Sequence, residues 1–454
     1  MVNVEVLVIG AGTAGIDAAS FARKNTDSVA LVEKGVAGGD CTYNACMPTK
    51  ALVQAARLYK SMKSADFFGL PILESVADYS RVRAFKDRIV SQIGAGQERK
   101  LARSGLKLFQ GNARFVSPHE VTVGDELIKA EKIIIATGSV PGVPPIPGLN
   151  EAGYVTNVEA LKLDSAPTRL AIIGGGAVGV EFAQIFAAFG SKVHIYEAGG
   201  RILAGEDEDI SVALTDSFAG QGISVTTSTG IERIGTTRNG KLVTTRDASG
   251  VGRSEEFDEI LVATGRKPAI DGLNLEAAGV RFNNKGIIVD SSTRTNVPHI
   301  WAAGDVTGTA LFTLVAWEQG EVAGSNATSQ ERKELNYEIL PRVTFCDPEV
   351  ASVGLTEQQA RAQQYRVKAG KFDYSHLSRT IVTNETEGFI KIVAEQSSGR
   401  ILGGHIIGFE ASILIHEIAA AMAKGLTVSD IGNTFHAFPT YSEGVRYACQ
   451  SLMA

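Results

Sequence analysis

The chain has 454 residues, which exceeds the size of one hydrophobic core, so we expect two to four domains at roughly 100 to 200 residues each. A net charge of -6 without a polybasic block argues against nucleic acid or anionic lipid as a partner, and no apolar run reaches the ~20 residues that span a bilayer. Four cysteines do not form a secreted disulfide framework in a chain of this length, and the first strand enters a glycine loop without signal-peptide features. We therefore expect a cytoplasmic protein.

Residues 4–34 have the pattern of a β-strand, a glycine-rich turn, an Ala-rich helix and a second strand. Gly10, Gly12 and Gly15 allow a tight turn and a close backbone approach to a pyrophosphate at the helix N-terminus. Glu33 ends the second strand about 20 residues further on, where a carboxylate can bond ribose hydroxyls. This context favours a dinucleotide-binding unit over a simple glycine-rich turn.

The segment 38–50 contains Cys41 and Cys46, five positions apart, followed by Lys50 and an amphipathic helix. Helix N-terminal amides lower the pKa of a thiol, and this spacing lets two sulfurs meet across one loosened helical turn. Redox chemistry is therefore favoured, and two ordinary buried thiols or a metal site are the alternatives. A zinc site would need two more Cys or His ligands at similar spacing, and the nearest others lie far along the chain.

The pattern changes twice between the cysteines and the middle of the chain. Residues 81–105 predict one long helix, and residues 106–138 predict short strands that end in an apolar run before Thr137 and Gly138. Residues 140–148, rich in Pro and Gly, are expected to break all regular structure. We place a domain crossing there.

Residues 169–197 repeat the first unit as strand, glycine turn, helix and strand, which implies a second dinucleotide. The glycines of this second turn are Gly174, Gly176 and Gly179. Glu197 ends the second strand where the 2′-phosphate of NADP would lie, so its charge should select NAD over NADP. Arg201 lies nearby and could instead favour the 2′-phosphate of NADP. Its ordinary structural role would be to pair with the acidic run 206–209 at the surface.

A matching strand at 260–264 precedes Gly265 and closes the second nucleotide unit, and a further strand leads to Asp305. The first domain is therefore expected to be interrupted by the second. The predicted segments are 1–145 for the first nucleotide domain, 146–270 for the second, 271–338 for a returning central segment, and 339–454 for a C-terminal domain.

These motifs together resemble the flavoprotein pyridine nucleotide-disulfide oxidoreductases, most closely the dihydrolipoamide dehydrogenases, over essentially the whole chain. The two glycine turns, the cysteine segment, the two Ala-Thr-Gly strands and the Ala-Ala-Gly-Asp run occur in the family's order. The resemblance implies an α/β fold with two Rossmann-like dinucleotide-binding domains of the three-layer ββα type. It also implies a C-terminal α+β dimerisation domain, and hence a homodimer.

The resemblance further implies FAD on the first unit and NAD(H) on the second, with hydride passing to flavin and electrons then passing to sulfur. Cys46 matches the flavin-proximal thiol, Cys41 the thiol that meets substrate, and Lys50 the lysine at flavin N5, paired with Glu181. The positions assigned to FAD are Gly10, Gly12, Gly15, Glu33, Lys34, Gly39, Asp40, Lys50, Ala113, Thr137, Gly138, Asp305 and Thr313. Those assigned to NAD are Gly174, Gly176, Gly179, Glu181, Glu197 and Gly265.

The C-terminal motif departs from the dihydrolipoamide dehydrogenase pattern His-Ala-His-Pro-Thr-x-Ser-Glu. Phe438 stands where those enzymes have the acid/base histidine, so Glu443, the catalytic glutamate of the resemblance, lacks its expected partner. A general base contributes ~10² to 10⁴ in rate, so efficient turnover of free lipoamide is in doubt. His436 can substitute only by a shift of two residues, which reverses its side-chain direction, and the alternative is a structural histidine.

Mercuric reductases also lack this histidine, but they use a C-terminal cysteine pair that this chain does not supply. Cys346 and Cys449 are single thiols, which favours buried hydrophobic roles. The leading hypothesis is a dihydrolipoamide dehydrogenase-like enzyme whose acceptor is a small-molecule or protein-bound disulfide or dithiol. The alternatives are a mercuric-reductase-like or quinone-reducing, diaphorase-type NADH oxidoreductase, and a non-catalytic flavoprotein that binds a protein partner.

Overall fold

The computed structural model describes residues 1–247 and 250–453, and the chain divides into two compact units. The first unit consists of Met1–Ala51, Arg83–Gly142 and Gly265–Asn336. The second consists of Leu52–Val82, Val143–Thr264 and the chain from Tyr337 onward. Each unit is built from several separate segments, and the finer division into four segments stays a prediction.

The strands of the described residues are β1 (Val2–Ile9), β2 (Val29–Glu33), β3 (Lys107–Gln110), β4 (Ala113–Ser117), β5 (Glu120–Val123), β6 (Glu126–Ile135), β7 (Ser139–Pro141), β8 (Arg169–Ile173), β9 (Lys192–Tyr196), β10 (Ser224–Thr226), β11 (Gly230–Thr236), β12 (Lys241–Arg246), β13 (Gly252–Phe257), β14 (Glu259–Val262), β15 (Arg266–Pro268), β16 (Phe282–Asn283), β17 (Gly286–Ile287), β18 (Ile300–Ala302), β19 (Arg342–Thr344), β20 (Glu349–Gly354), β21 (Val367–Asp373), β22 (Phe389–Glu395) and β23 (Ile401–Gly408).

The α-helices of the same residues are α1 (Thr13–Ala22), α2 (Gly39–Tyr43), α3 (Cys46–Lys63), α4 (Tyr79–Ser104), α5 (Leu149–Ala152), α6 (Asn157–Ala160), α7 (Ala177–Ala188), α8 (Glu208–Gly220), α9 (Thr313–Thr328), α10 (Glu357–Ala362), α11 (Ser378–Thr383), α12 (Ala411–Ala423), α13 (Val428–Asn433) and α14 (Glu443–Gln450). Short 3₁₀ turns lie at Ala65–Phe68, Leu275–Ala278, Asp305–Thr307 and Tyr374–His376. None of these helices combines the length and the apolar character that a membrane crossing requires.

The first unit is organised around a seven-stranded sheet in the order β3-β2-β1-β6-β5-β4, with β18 also paired to β6. Strand β6 is long enough to pair with β5 near its start and with β18 near its end, along the edge opposite β1. The run of β1 is buried on both faces, because Leu7 and Ile9 enter one hydrophobic cluster while Val6 and Val8 enter another. Covered faces explain why this strand is continuously apolar rather than alternating.

Helix α1 packs closely on α9 within the first unit because α9 has glycine at two contact positions. A Cβ atom on Gly320 would collide with the carbonyl oxygen of Ala14, and one on Gly324 would collide with that of Ala18. Both obstacles are backbone atoms, which cannot move aside as a flexible side chain can. The two glycines therefore set the distance between the helix that follows the first glycine turn and α9.

We expect Gly324→Ala to destabilise the protein by about 1–3 kcal/mol, the usual cost of forcing extra atoms into a packed contact. The matched control is Gly96→Ala in α4, where no atom of the described residues lies within 4 Å of the added Cβ. That control should be neutral or stabilising by up to about 1 kcal/mol, because alanine is the better helix former. Urea unfolding of both variants measures the difference, and equal midpoints would contradict the packing argument.

Between the cysteines and the second repeat, the observed helices and strands agree with those predicted from the sequence except at one point. The predicted long helix at 81–105 is confirmed as α4, and the short strands before Gly138 are β3 to β6. The expected break at 140–148 is wrong at its start, where β7 pairs antiparallel with β15. Pro141 is tolerated because this two-stranded ribbon leaves it on an edge.

The second unit contains the repeat β8-α7-β9 in a four-stranded parallel sheet of order β10-β9-β8-β14. A three-stranded antiparallel sheet, β11-β12-β13, and a five-stranded antiparallel sheet, β19-β20-β23-β22-β21, complete the unit. Helices α12 and α14 share a hydrophobic cluster with this last sheet, as residues such as Ile415, Ile406 and Val445 show. The predicted α/β class, with two Rossmann-like units and a C-terminal α+β region, is confirmed.

Candidate active site

The two cysteines lie on consecutive helices in the first unit rather than on one loosened turn. Cys41 is inside α2, and Cys46 is the first residue of α3, with Asn44 and Ala45 between the helices. Asn44 caps the end of α2, because its N–H and its side-chain amide both donate to Asp40, at 2.8 and 3.0 Å. The break places Cys46 at a helix N-terminus, where partial positive charge favours a thiolate.

The structure holds Cys41 and Cys46 as thiols rather than as a disulfide, and both contact the hydroxyl of Thr313. A hydrogen bond with Cys46 raises the pKa of the Cys41 thiol, and burial raises it further. The Thr313 hydroxyl and the Lys50 ammonium act in the opposite direction. The two thiols are therefore a coupled pair, and their titration belongs to the pair rather than to either residue.

The first glycine turn has the geometry of a nucleotide cradle. Gly10 has φ +106°, a conformation that favours glycine, and a Cβ on Gly15 would collide with the Gly10 carbonyl oxygen. A Cβ on Gly39 would lie 2.6 Å from the Cα of Gly12, so these two backbones approach closely as well. The side chain of Glu33 accepts hydrogen bonds from the N–H groups of Ala11 and Gly35, at 2.7 Å each.

The residues that surround this turn fit a flavin adenine dinucleotide. The strand β1 and the glycine turn after it lead to the N-terminus of α1, which is suited to bind a pyrophosphate. Glu33 is the last residue of β2, the position at which dinucleotide folds have the acid that binds the ribose. The hydroxyl of Thr137, just after β6, is buried without a hydrogen-bond partner in the described residues. A buried hydroxyl of this kind normally has a partner, and a bound dinucleotide would supply one.

A polar network in the first unit joins three predicted FAD-binding segments, and two of its members were missed at the sequence level. Ser139 donates to Asp305 at 2.6 Å and accepts from Arg266 Nε at 2.6 Å. Arg266 also forms an ion pair with Asp40 next to the redox cysteine. The signal available in the sequence was the polar or basic residue that follows each Ala-Thr-Gly strand.

The remaining predicted FAD residues lie at separate points of the first unit. Lys34 is exposed beside Glu33, and Ala113 is buried at the start of β4. Gly138 follows Thr137 and accepts a hydrogen bond from the N–H of Ala269 at 2.9 Å. Their contacts with FAD stay predictions.

The second glycine turn reproduces the geometry of the first. Gly174 has φ +110°, and a Cβ on Gly179 would collide with the Gly174 carbonyl oxygen. Glu197 accepts from the N–H of Gly175 at 2.7 Å and from that of Gly199 at 2.6 Å, as Glu33 does in the first unit. A Cβ on Gly176 would meet no atom of the described residues within 4 Å, so the N-terminus of α7 is open to a ligand. These residues fit a second dinucleotide.

Arg201 does not form the surface pair with acidic side chains that the sequence suggested. Its guanidinium donates to the carbonyl oxygens of Ala204 and Glu206, at 3.1 and 3.2 Å. The carboxylates of this run have other partners, since Glu206 pairs with Arg342 and Asp207 pairs with Lys391. Arg201 therefore holds its own loop, and the position of Glu197 at the ribose stays a prediction.

Glu181, predicted to stand near the nicotinamide, is 5% exposed on α7. One carboxylate oxygen accepts the N–H of Phe345 at 2.9 Å, and Gln184 one turn later accepts the N–H of Asp347 at 2.6 Å. These bonds join α7 to the segment after β19, a link that sequence spacing did not indicate. The pairing of Glu181 with Lys50 stays a prediction, and Gly265, also assigned to NAD, belongs to the first unit.

In the C-terminal motif the ring of Phe438 is exposed, whereas the side chain of His436 is buried. Phe438 is 74% exposed, whereas both ring nitrogens of His436 are engaged. His436 Nε2 lies 2.9 Å from a Glu417 oxygen, and Nδ1 lies 3.0 Å from the Thr434 carbonyl oxygen. This arrangement fixes the imidazole against its own domain, which supports a structural role.

Glu443 begins α14 and is buried, with hydrogen bonds that do not involve a histidine. Its carboxylate accepts the N–H of Thr440 at 3.0 Å and the hydroxyl of Tyr447 at 3.1 Å. A carboxylate offers about four acceptor positions, so these two bonds leave capacity for a further donor. These bonds fix the glutamate at the start of α14, and its catalytic role stays a prediction.

The two single thiols are buried, as predicted. Cys346 is 1% exposed, and burial raises the pKa of its thiol well above the usual range. Cys449 on α14 is fully buried, and burial raises the pKa of its thiol to about 12. Such thiols are poor nucleophiles and poor metal ligands at neutral pH.

Comparison with known proteins adds to this geometry. Residues 4–320 match the model of the family described as pyridine nucleotide-disulphide oxidoreductase, and residues 340–449 match its dimerisation domain. The chain is 35% identical to a dihydrolipoyl dehydrogenase of Bacillus subtilis, covering 98% of each chain. It is 34% identical to a mercuric reductase of Staphylococcus aureus, covering 98% of this chain and 81% of that one.

A solved structure with the same fold is the HOCl-induced flavoprotein disulfide reductase RclA from Escherichia coli. The TM-score is 0.88 at 29% identity, with 98% of this chain and 99% of that chain covered. The chain thus combines two dinucleotide-binding turns, a cysteine pair next to a helix N-terminus and a dimerisation domain. The relatives reported above match it over 98% of its length. The protein is an enzyme of the pyridine nucleotide-disulphide oxidoreductase family, whose members depend on FAD and NAD(P).

Proposed function

We propose that this enzyme passes electrons between NAD(H), FAD and the Cys41–Cys46 pair, and that its acceptor does not rely on the histidine base of dihydrolipoamide dehydrogenases. Bound FAD would supply the two-electron chemistry that connects the nicotinamide with the sulfurs. Cys46 would carry the thiolate because it begins α3, and Cys41, whose thiol pKa is raised by the hydrogen bond with Cys46 and by burial, would exchange with the acceptor. Lys50 is proposed to support charge on the flavin, with Glu181 as its counter-charge.

The observation that carries this proposal is the state of the C-terminal motif. Phe438 exposes a ring without a titratable group at the base position, while His436 is held by Glu417 and Thr434. Proton transfer to a free dithiol would therefore depend on solvent. We expect lipoamide to be a slow substrate, because the missing base normally contributes ~10² to 10⁴ in rate.

The second candidate is a mercuric-reductase-like or quinone-reducing activity, and the same phenyl ring favours it. A metal ion or a quinone needs no proton from a histidine at that position, and relatives of 34% identity include mercuric reductases. The buried position of Cys449 argues against a C-terminal thiol relay in this chain. The third candidate, a flavoprotein that only binds a partner, predicts no turnover with any acceptor.

Steady-state NADH oxidation with lipoamide, Hg²⁺ and a soluble quinone, each on wild type and on Cys41→Ser, separates the three. Disulfide chemistry predicts turnover that Cys41→Ser abolishes. A quinone-type activity predicts turnover that survives the substitution, since electrons can leave directly from the flavin. Absence of turnover with every acceptor, in protein whose flavin is reduced by NADH, would favour the binding role.

We also propose that the enzyme is a homodimer, and the match to the family's dimerisation domain supports this. Apolar side chains of the second unit such as Val382, Ile413 and Phe438 are more than half exposed in the single chain. Sedimentation at micromolar concentration should give twice the mass of one chain.

The expected cytoplasmic location stays a prediction.

NADH should be preferred over NADPH by roughly 10- to 10²-fold in kcat/KM, the size of one hydrogen bond to a charged group. The carboxylate of Glu197 would face the ribose and would repel a 2′-phosphate of roughly -1.5 to -2 charge. Glu197→Gln should narrow the preference. Arg201→Ala is the control and should change the ratio little, because its guanidinium binds carbonyls of its own loop. A wild-type preference for NADPH would contradict the assignment.

A further inference from the structure

The hydroxyl of Thr313 lies between the two sulfurs of the redox pair, although it is 267 residues from Cys46. Its oxygen is 3.3 Å from Cys46 Sγ and 3.4 Å from Cys41 Sγ. Toward Cys41 the hydroxyl is the donor, and toward Cys46 either atom can donate. The family resemblance assigned Thr313 to FAD binding, and that assignment gives its hydroxyl no role toward the sulfurs.

The chemistry of the pair makes the direction of this hydrogen bond depend on the redox state. Reduction of the disulfide breaks the S–S bond, takes up two electrons and one proton, and leaves one thiol and one thiolate. NADH supplies the electrons through the flavin, and Thr313 keeps its own proton throughout. A thiolate only accepts hydrogen bonds, so after reduction the contact with the charged sulfur is favourable only when the hydroxyl donates to it.

We propose that the Thr313 hydroxyl donates to the Cys46 thiolate in the reduced enzyme and thereby helps to localise the charge on Cys46 and to ease reduction of the disulfide. The proposal rests on the proposed function of the Cys41–Cys46 pair. It makes Thr313 a catalytic residue, because its side chain touches both reacting sulfurs.

The position of Thr313 suits this role. It is the first residue of α9, a helix of 16 residues, so its backbone is fixed and the helix N-terminus adds positive potential. The branched side chain restricts the first torsion angle, which holds the hydroxyl near both sulfurs without a search over rotamers.

Thr313→Val removes the hydroxyl and keeps the shape of the side chain, so it is the principal test, made on the FAD-loaded protein. The long-wavelength thiolate-to-flavin band of the two-electron-reduced enzyme should develop at a pH about one unit higher than in wild type, because the thiolate loses a donor. The dithiol should also be about tenfold harder to form in a glutathione buffer, equivalent to about 30 mV toward more negative potential.

Three variants complete the design. Thr313→Ser keeps a hydroxyl and should remain close to wild type in both measurements. Thr328→Val removes a hydroxyl from the other end of α9 and should change neither. Thr313→Ala serves as the second variant without a hydroxyl and should match Thr313→Val, which keeps the test decisive if the valine variant loses FAD.

The outcomes separate this inference from the proposed function. If wild type develops the band and Thr313→Val has an unchanged pH midpoint and potential, the hydroxyl has no role and the inference is wrong. If Thr313→Ser shifts as far as Thr313→Val, packing rather than the hydroxyl is responsible, and the inference is again wrong. If wild type with bound flavin never develops the band, the proposed function fails at Cys46, whatever the Thr313 variants do.

Discussion

Cys46→Ser is expected to lose the long-wavelength band that NADH should produce in the wild-type enzyme, and to lower disulfide reduction by roughly 10³-fold or more. The band requires a thiolate, and we propose Cys46 as the charged sulfur because it lies at the N-terminus of α3. A serine hydroxyl does not ionise at neutral pH and cannot form a disulfide, so the loss resembles the removal of a nucleophile. Anaerobic titration with NADH, followed by absorbance, measures the first effect directly.

Cys41→Ser is the matched control for this prediction. It leaves Cys46 at the start of α3 with no sulfur partner, so the band should be present in the oxidised protein before any NADH is added. Disulfide turnover should still be lost, because the exchanging thiol is gone. A band that persists in Cys46→Ser, or one that depends on Cys41 instead, would reverse the roles of the two cysteines.

Phe438→His is expected to raise lipoamide turnover by ~10- to 10³-fold, since it restores a general base at the position where the dihydrolipoamide dehydrogenase pattern has one. The ring of Phe438 is 74% exposed, so the substitution should change stability by no more than about 0.5 kcal/mol. Glu443 lies five residues later and retains acceptor capacity beyond its bonds to Thr440 and Tyr447. We expect that carboxylate to orient the new imidazole and to favour its charged form.

The pH profile of the variant should show a new ionisation in the range of a perturbed histidine, which wild type lacks. Phe435→His is the matched control, because Phe435 is 95% exposed in the same segment but lies away from the base position. That control should leave lipoamide turnover unchanged. NADH reduction of the flavin should be unaffected in both variants. If Phe438→His gains nothing with any dithiol or disulfide, the natural acceptor lies outside lipoamide-type chemistry.

Local sequence patterns determined the two nucleotide units of this protein. The strand-turn-helix-strand order, the glycines at Gly10 and Gly174, and the acids Glu33 and Glu197 lie within about 30 residues of one another in each unit. The glycine turns need backbone conformations that only glycine adopts easily, so the glycines reveal them in the sequence. The strands are recognisable because each one is a short run of apolar residues. The cysteine pair could also be recognised from the sequence, because Cys41 and Cys46 are only five positions apart.

The tertiary structure alone decided which distant groups meet at these local motifs. Thr313 approaches the sulfurs from 267 residues away, and Arg266 reaches Asp40 across 226 residues. Glu417 of α12 fixes His436, which lies in the loop between α13 and α14, and sequence periodicity gives no sign of this contact. Hydrogen bonds and ion pairs act over about 3 Å between side chains, whereas sequence patterns report only neighbours along the chain, so these partners become visible only once the strands and helices have been packed.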